Sequence, residues 1–208
     1  MHLAFAPRLG GMPFPSPPWQ LEAHLWLSVF VLRAAGGPDR PAGLYGAAFV
    51  DYTDGGVLAY HELLVARLHD ARARQVRITD IWVDSPQSLA GGRALWAIPK
   101  QLADLPLRSW SVGPACRTSF SAVTQGQQVA RGAFTSMPGA ALVRTPFALR
   151  TSQQRSDGSV VVTPFGGSAR ALPCRAAWRF DPHGPLAFLH GRRPVLSLRL
   201  SDARIRFG

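Results

Sequence analysis

Short apolar runs of strand character, separated by glycine and proline, succeed one another along most of this chain, and they constrain its fold more than any other feature. Residues 24–32 read as a buried strand. Residues 43–52 and 56–68 follow, with the turn signal Thr53-Asp54-Gly55-Gly56 between them. Residues 76–83 alternate apolar and polar side chains and stop at Asp84-Ser85-Pro86. Residues 107–112, 117–124, 128–134, 141–149, 159–163 and 194–200 have the same character. So many short strands predict a mainly β, antiparallel sheet system, closed into a barrel or folded into a sandwich. One short helix is predicted over 100–105, behind Pro99, and the period of 62–68 also permits one. The pairs Gly10-Gly11, Gly36-Gly37, Gly55-Gly56, Gly91-Gly92 and Gly166-Gly167 read as turns, and none belongs to a GxGxxG or P-loop motif.

A chain of 208 residues with 47% hydrophobic content is ordered and fits a single domain. Residues 1–20, which carry Pro7, Pro13, Pro15, Pro17 and Pro18, read as a Pro-rich N-terminal arm, and 21–208 as one β domain with a polar loop at 151–158. No apolar run approaches the length of about 18 residues that a membrane span needs, so no membrane partner is expected. The first residues lack the basic and apolar regions of a signal peptide. Cys116 and Cys174 form no CxxC pair, and two free thiols predict a reducing, cytoplasmic setting.

The formal charge of +11 raises the question of a nucleic-acid or other polyanionic partner. The arginines that carry it are scattered, and no basic run is interleaved with aromatics. The composition, rich in Arg, Ala, Gly and Pro, reads instead as a GC-rich coding bias, and no nucleic-acid partner is expected. The six histidines show no HxH or HExxH spacing, so no metal is expected, and no GxSxG elbow marks a nucleophilic serine.

Against that background one residue stands out. All 23 basic residues but one are arginine, and the exception is Lys100. Arginine replaces lysine in a surface ion pair, but not where a neutral amine must attack a carbonyl. Lys100 follows Leu95-Trp96-Ala97-Ile98-Pro99, an apolar wall that would strip water from its ammonium and favour the nucleophilic amine. Only two of the 12 carboxylates are glutamates, Glu22 and Glu62. Glu62 lies in the apolar run 57–65, where alternation alone points it to solvent unless it is buried for a purpose.

The string Gly92-Arg93, five residues, Pro99-Lys100, one residue, Leu102-Ala103 resembles the active-site segment of the acetoacetate decarboxylase superfamily. Tyr60-His61-Glu62 is similar to that family's YxE strand, and 84–91 to its approach loop. The resemblance implies an antiparallel, cone-shaped β-barrel with one or a few short helices, no cofactor, and a homo-oligomer acting on a small keto-acid or carbonyl substrate. It also implies a Schiff base at Lys100, with Glu62 as the proton-transfer group. Trp82, Trp96 and Ile98 fall near the apolar lining of the implied pocket, and Arg93 matches the family arginine beside it. His24 falls near the arginine expected to meet a substrate carboxylate, and Ala47 near a second pocket glutamate. Gln101 stands where the family has a second lysine. The function expected is therefore a Schiff-base lyase, either a decarboxylase or an aldolase-dehydratase. The alternatives are a non-catalytic barrel that binds an apolar carbonyl compound and a basic polyanion-binding protein.

Overall fold

A computed structural model of the chain describes residues 8–9, 11–37, 39–137 and 143–208. Strands β1 (Arg8–Leu9) and β2 (Met12–Pro13) form a small hairpin. Strands β3 (Trp19–Leu32), β4 (Gly43–Thr53), β5 (Tyr60–Asp70) and β6 (Gln75–Val83) then form an antiparallel meander. Helix α1 (Pro86–Trp96) leads into the short strand β7 (Lys100–Leu102). Strands β8 (Leu107–Val112), β9 (Ala115–Thr124) and β10 (Gln127–Ser136) follow, then β11 (Arg144–Gln154), β12 (Val160–Pro173), β13 (Arg175–Phe180) and β14 (Leu196–Phe207).

Seven strands, in the order β11-β12-β14-β3-β4-β5-β6, close on themselves because β11 also pairs with β6. The fold is thus the mainly β barrel expected, with two departures from antiparallel pairing. Arg150 and Thr151 of β11 lie parallel to Gln75 and Val76 at the start of β6, and Ile81, Trp82 and Val83 at its end lie parallel to Lys100, Gln101 and Leu102. With β5 on one edge of β6, its other edge is shared between β11 and β7. The barrel wall is open where β6 leaves β11, and β7 fills that seam.

A second sheet, β13-β10-β9-β8, covers the outer face of the barrel. Strand alternation therefore feeds two cores. Trp26, Phe30, Phe49, Leu63 and Trp82 point outward and pack against Phe120, Phe134 and Phe180 of the covering sheet. Leu21, Ala48, Val50, Ile78 and Ile81 point into the barrel. Strands buried on both faces read as continuous apolar runs, which is why 62–68 admits a helical period although it is strand.

The helix falls elsewhere than expected. Lys100 starts a strand, and the helix is Pro86–Trp96. Ser85 caps it, its hydroxyl accepting from the Ser88 N–H at 3.2 Å, and Pro86 occupies the first turn. Gly91-Gly92 lies inside this helix and Gly166-Gly167 inside β12, so neither pair is a turn. Part of the Pro-rich arm is built into the core: Phe14 and Trp19 are buried. Residues 1–7, Gly10 and the first two residues of the strand expected over 141–149 lie outside the described residues. No helix among the described residues is long and apolar enough to cross a membrane.

Candidate active site

The end of α1 and the start of β7 set the position of Lys100. The helix stops at Ala97, whose left-handed backbone (φ 54°) turns the chain, while the N–H groups of Ala97 and Ile98 return to the carbonyls of Arg93 and Gly92. Pro99 then carries the chain into β7. The Arg93 Nε donates to the Lys100 carbonyl at 2.8 Å, so the helix also holds the lysine's backbone.

The lysine side chain runs back beneath the helix, and the residue is 4% exposed. Its Nζ donates to Ser88 Oγ at 2.7 Å, to Glu62 Oε2 at 2.8 Å and to the Tyr60 hydroxyl at 3.3 Å. Three donors meet three acceptors, so the ammonium is fully matched. The path is tight. A Cβ on residue 92 would stand 2.8 Å from both Cδ and Cε of Lys100, and one on residue 91 would stand 2.5 Å from the Trp19 ring. Both helical glycines serve close approach, which explains their place in a helix they would otherwise weaken.

Glu62 is buried, against the exposure that alternation alone suggested. Both faces of β5 are covered, so no position on this part of the strand faces water. The Tyr52 hydroxyl donates to Oε1 and the Tyr60 hydroxyl to Oε2, each at 3.3 Å. The two rings stack with centroids 4.4 Å apart, as cross-strand partners on β4 and β5. Burial, and after it the charge of Glu62, raises both phenols well above the ordinary tyrosine value of 10.0. They stay protonated donors. A buried amine, a buried carboxylate, two phenols and the Ser88 hydroxyl thus form one closed polar cluster.

This cluster borders the barrel interior, a cavity of about 500 Å³. Trp96, Ile98, Lys100 and Glu62 line it, together with Leu and Val side chains of β3 to β6 and residues of β11, β12 and β14. Three residues expected at the pocket are absent from its lining. Trp82 points outward into the core beneath the covering sheet, because it neighbours the inward Ile81 on the same strand. His24 lies on the outer side of β3, where its Nδ1 accepts from the Asp202 N–H at 3.3 Å. Arg93 holds backbone rather than lining the cavity. Ala47 also packs outward and is absent from the lining, to which β4 contributes Leu44, Tyr45, Gly46, Ala48, Val50 and Tyr52. Gln101 is exposed, on the opposite side of β7 from Lys100.

Tyr52 and Tyr60 are shared with a second, outer cleft of about 440 Å³, lined also by Ala59, His61, Asp84, Ser85, Pro86 and Gln87. There His61 Nδ1 lies 2.8 Å from Asp84 Oδ2, and Nε2 3.6 Å from Asp51 Oδ1. The hydrogen bond to Asp84 raises the imidazole above its ordinary 6.5, against the opposing effect of burial. Among the described residues, no group of three or more His, Cys, Asp or Glu side chains is arranged to hold a metal ion.

The sequence profile of the family described as Acetoacetate decarboxylase (ADC) matches residues 38–182, well over half of the chain. The chain belongs to the acetoacetate decarboxylase family. Solved structures agree on the fold. An acetoacetate decarboxylase from Legionella pneumophila superposes with a TM-score of 0.60 at 16% identity, covering 97% of this chain and 88% of that one. An acetoacetate decarboxylase-like enzyme from Sphingomonas wittichii RW1 gives 0.62 at 10% identity, covering 95% and 94%. The enduracididine biosynthesis enzyme MppR, with HEPES buffer bound, gives 0.58 at 16%, covering 94% and 87%. No curated protein matches the chain.

In this member of the acetoacetate decarboxylase family, the cluster draws on residues whose local sequence marks them to different degrees. Tyr60 was legible as a neighbour of Glu62, since residues two apart on a strand share a face. Ser88 and Gly92 are one helical turn apart, a relation visible only once the helix is assigned to 86–96. Tyr52 reaches the cluster through its register with Tyr60, for which the local sequence carries no signal.

Proposed function

We propose that this member of the acetoacetate decarboxylase family is a lyase that works through a Schiff base on Lys100. One observation carries the reading: the Lys100 amine and the Glu62 carboxylate, 2.8 Å apart and both buried, border a large apolar cavity. Glu62 is the base within reach that takes the surplus proton from the amine. The neutral nitrogen then adds to the substrate carbonyl carbon. The carbonyl oxygen leaves as water, so one C=O bond becomes one C=N bond. Ser88, Tyr60 and Tyr52 supply the hydrogen bonds that hold the oxygen and the carboxylate during these transfers.

A protonated imine withdraws electrons from the adjacent carbon. Loss of a proton from that carbon to Glu62 gives an enamine and leads to aldol or dehydration chemistry. Loss of carbon dioxide from a β-keto acid gives an enamine as well. The cavity supports the first course more than the second. Lys100 is the one cationic side chain among the described residues lining it, and Glu62 already neutralises it. A substrate carboxylate there would be buried without a partner and close to Glu62, which costs several kcal/mol.

The reading also carries a cytoplasmic homo-oligomer. Trp110 and Val112, exposed on the edge strand β8, support a further contact there, and light scattering measures the assembly. The test of the chemistry is borohydride reduction in the presence of keto acids, ketones and aldehydes, read by intact mass and peptide mapping. A reduced adduct on Lys100 is expected. Turnover of a verified substrate with no adduct on Lys100 would remove the Schiff base from the mechanism. Reversible binding with no covalent adduct and no turnover would favour a non-catalytic carbonyl-binding barrel.

A further inference from the structure

The charged atoms of the cavity are concentrated at one end, beside Tyr52 and Tyr60, and the other polar lining residues, Tyr45, Thr145 and Thr151, carry only neutral hydroxyls. Lys100, Glu62, Tyr52 and Tyr60 stand together, whereas the wall beyond them is built from Leu64, Ala66, Leu68, Val76, Leu149 and Ala171, among others. On β5 the inward residues run from Glu62 to Leu68, a path of about 20 Å at roughly 3.3 Å per residue. With barrel strands tilted by about 40°, this corresponds to a depth of about 15 Å beyond the lysine. A small acid of a few atoms would leave most of 500 Å³ unfilled. Cavities of this size bury whole drug-sized ligands. At about 30 Å³ per heavy atom, as in a liquid, about 500 Å³ has room for roughly 17, so a carbonyl head with a tail on the order of ten carbons fits within it.

We propose that the substrate is an uncharged aldehyde or ketone with an apolar tail on the order of ten carbons, its carbonyl at Lys100 and its tail along the barrel axis. The inference rests on the Schiff-base reading for the position of the carbonyl, but the tail site stands on the cavity alone. Among the described residues, the wall next to the tail offers it no charged partner, and the head offers no free cation to a carboxylate. Both features select a neutral, apolar molecule over an anion of equal length. Each methylene buried should improve binding about two- to fourfold until the cavity is filled.

The test is a homologous series of straight-chain methyl ketones from three to fourteen carbons, with the corresponding 3-oxo acids in parallel. The half-saturating concentration for borohydride trapping on the wild-type chain is the readout. It should fall by at least a hundredfold between the short and medium ketones and then level off or rise. Each 3-oxo acid should need at least tenfold more than the ketone of equal length. Ala66→Phe, which places a ring four residues along β5 from Glu62, should move the optimum to shorter chains while short ketones are still trapped. Should that variant misfold, the wild-type series decides. A flat dependence on length, or a preference for the acids, would overturn the inference. Calorimetric titration of Lys100→Met with the same ketones separates the two proposals. Length-dependent binding there, with no trapping at any length on the wild type, would keep the tail site and overturn the Schiff base.

Discussion

Gly92 lies directly against the side chain of Lys100. A methyl group on residue 92 would sit 2.8 Å from both Cδ and Cε of the lysine, closer than real contacts allow. One turn earlier on the same helix, Ser88 accepts from Nζ. The helix thus shapes the lysine's path with an absent side chain and fixes its tip with a hydroxyl.

Gly92→Ala should therefore separate stability from reactivity. The added methyl favours the helix by about 0.5–1 kcal/mol and works against the buried lysine by about 1–3 kcal/mol. The melting temperature should change by only a few degrees. The displaced amine should lose ten- to a hundredfold in the rate of borohydride-trapped adduct formation, as misplacements of about 1 Å do. Wild-type trapping rates in this variant would mean that the lysine can reach its substrate by another path.

Lys100→Arg should leave a folded protein without adduct formation. The guanidinium retains the charge opposite Glu62 but offers no neutral amine to a carbonyl. Circular dichroism and thermal melts check the fold, and intact mass after reduction checks the chemistry. Turnover retained by this variant on a verified substrate would exclude the imine.

Glu62→Gln should lower stability by about 3 kcal/mol, because it leaves a buried ammonium without its counter-charge. Urea unfolding measures the loss. Adding Lys100→Met to Glu62→Gln should recover much of it, since the uncompensated charge is then removed. If the two changes are simply additive, the pair is not coupled in the folded state.

His61 gives a stability contribution with a predictable sign. Its folded-state value is raised, chiefly by the hydrogen bond to Asp84, so the folded protein holds the proton more tightly than the unfolded chain. The contribution is fully present below about pH 6.5 and is lost as pH rises through the raised value. The melting-temperature difference between wild type and His61→Gln should thus be larger at pH 5.5 than at pH 8.5 in buffers of about equal ionic strength. A difference that grows with pH would contradict the assignment.

Tyr52 and Tyr60 have the same sign at the alkaline end. Both phenols are raised well above 10.0 by burial and then by Glu62, so the unfolded chain ionises first as pH rises. Their contribution is complete below pH 10 and is lost above it. Tyr45 is raised as well, chiefly by burial, but less, so ultraviolet titration of the folded protein should ionise no tyrosine at the ordinary value and should leave Tyr52 and Tyr60 un-ionised longest; Tyr52→Phe should remove one of those two.

The local order of residues was enough for most of the strands, a mainly β class and the lysine, but not for β13 or for most of β12, and it left barrel and sandwich open until the family resemblance chose the barrel. Glycine- and proline-bounded apolar runs leave few alternatives to a barrel or a sandwich, and one lysine among arginines in a Pro-Lys-x-Leu-Ala segment marks a candidate for amine chemistry. Local order failed where a side chain's meaning depends on what covers it. Glu62 looks exposed on a strand of ordinary alternation, and becomes buried because its side of β5 faces the interior of the closed barrel, while the second sheet covers Leu63 on the other side. Gly91-Gly92 looks like a turn but lies within a helix, and both positions are glycine because Trp19 and Lys100 fill the space that two side chains would take. Trp82 and Ile98 look equally fit for a pocket. Strand parity sends Trp82 outward with Phe49, whereas the turn at Ala97 between α1 and β7 brings Ile98 to the cavity beside Lys100. The size and apolar lining of the cavity come from seven strands distant in sequence, so the tertiary structure alone decided what kind of molecule the lysine can meet.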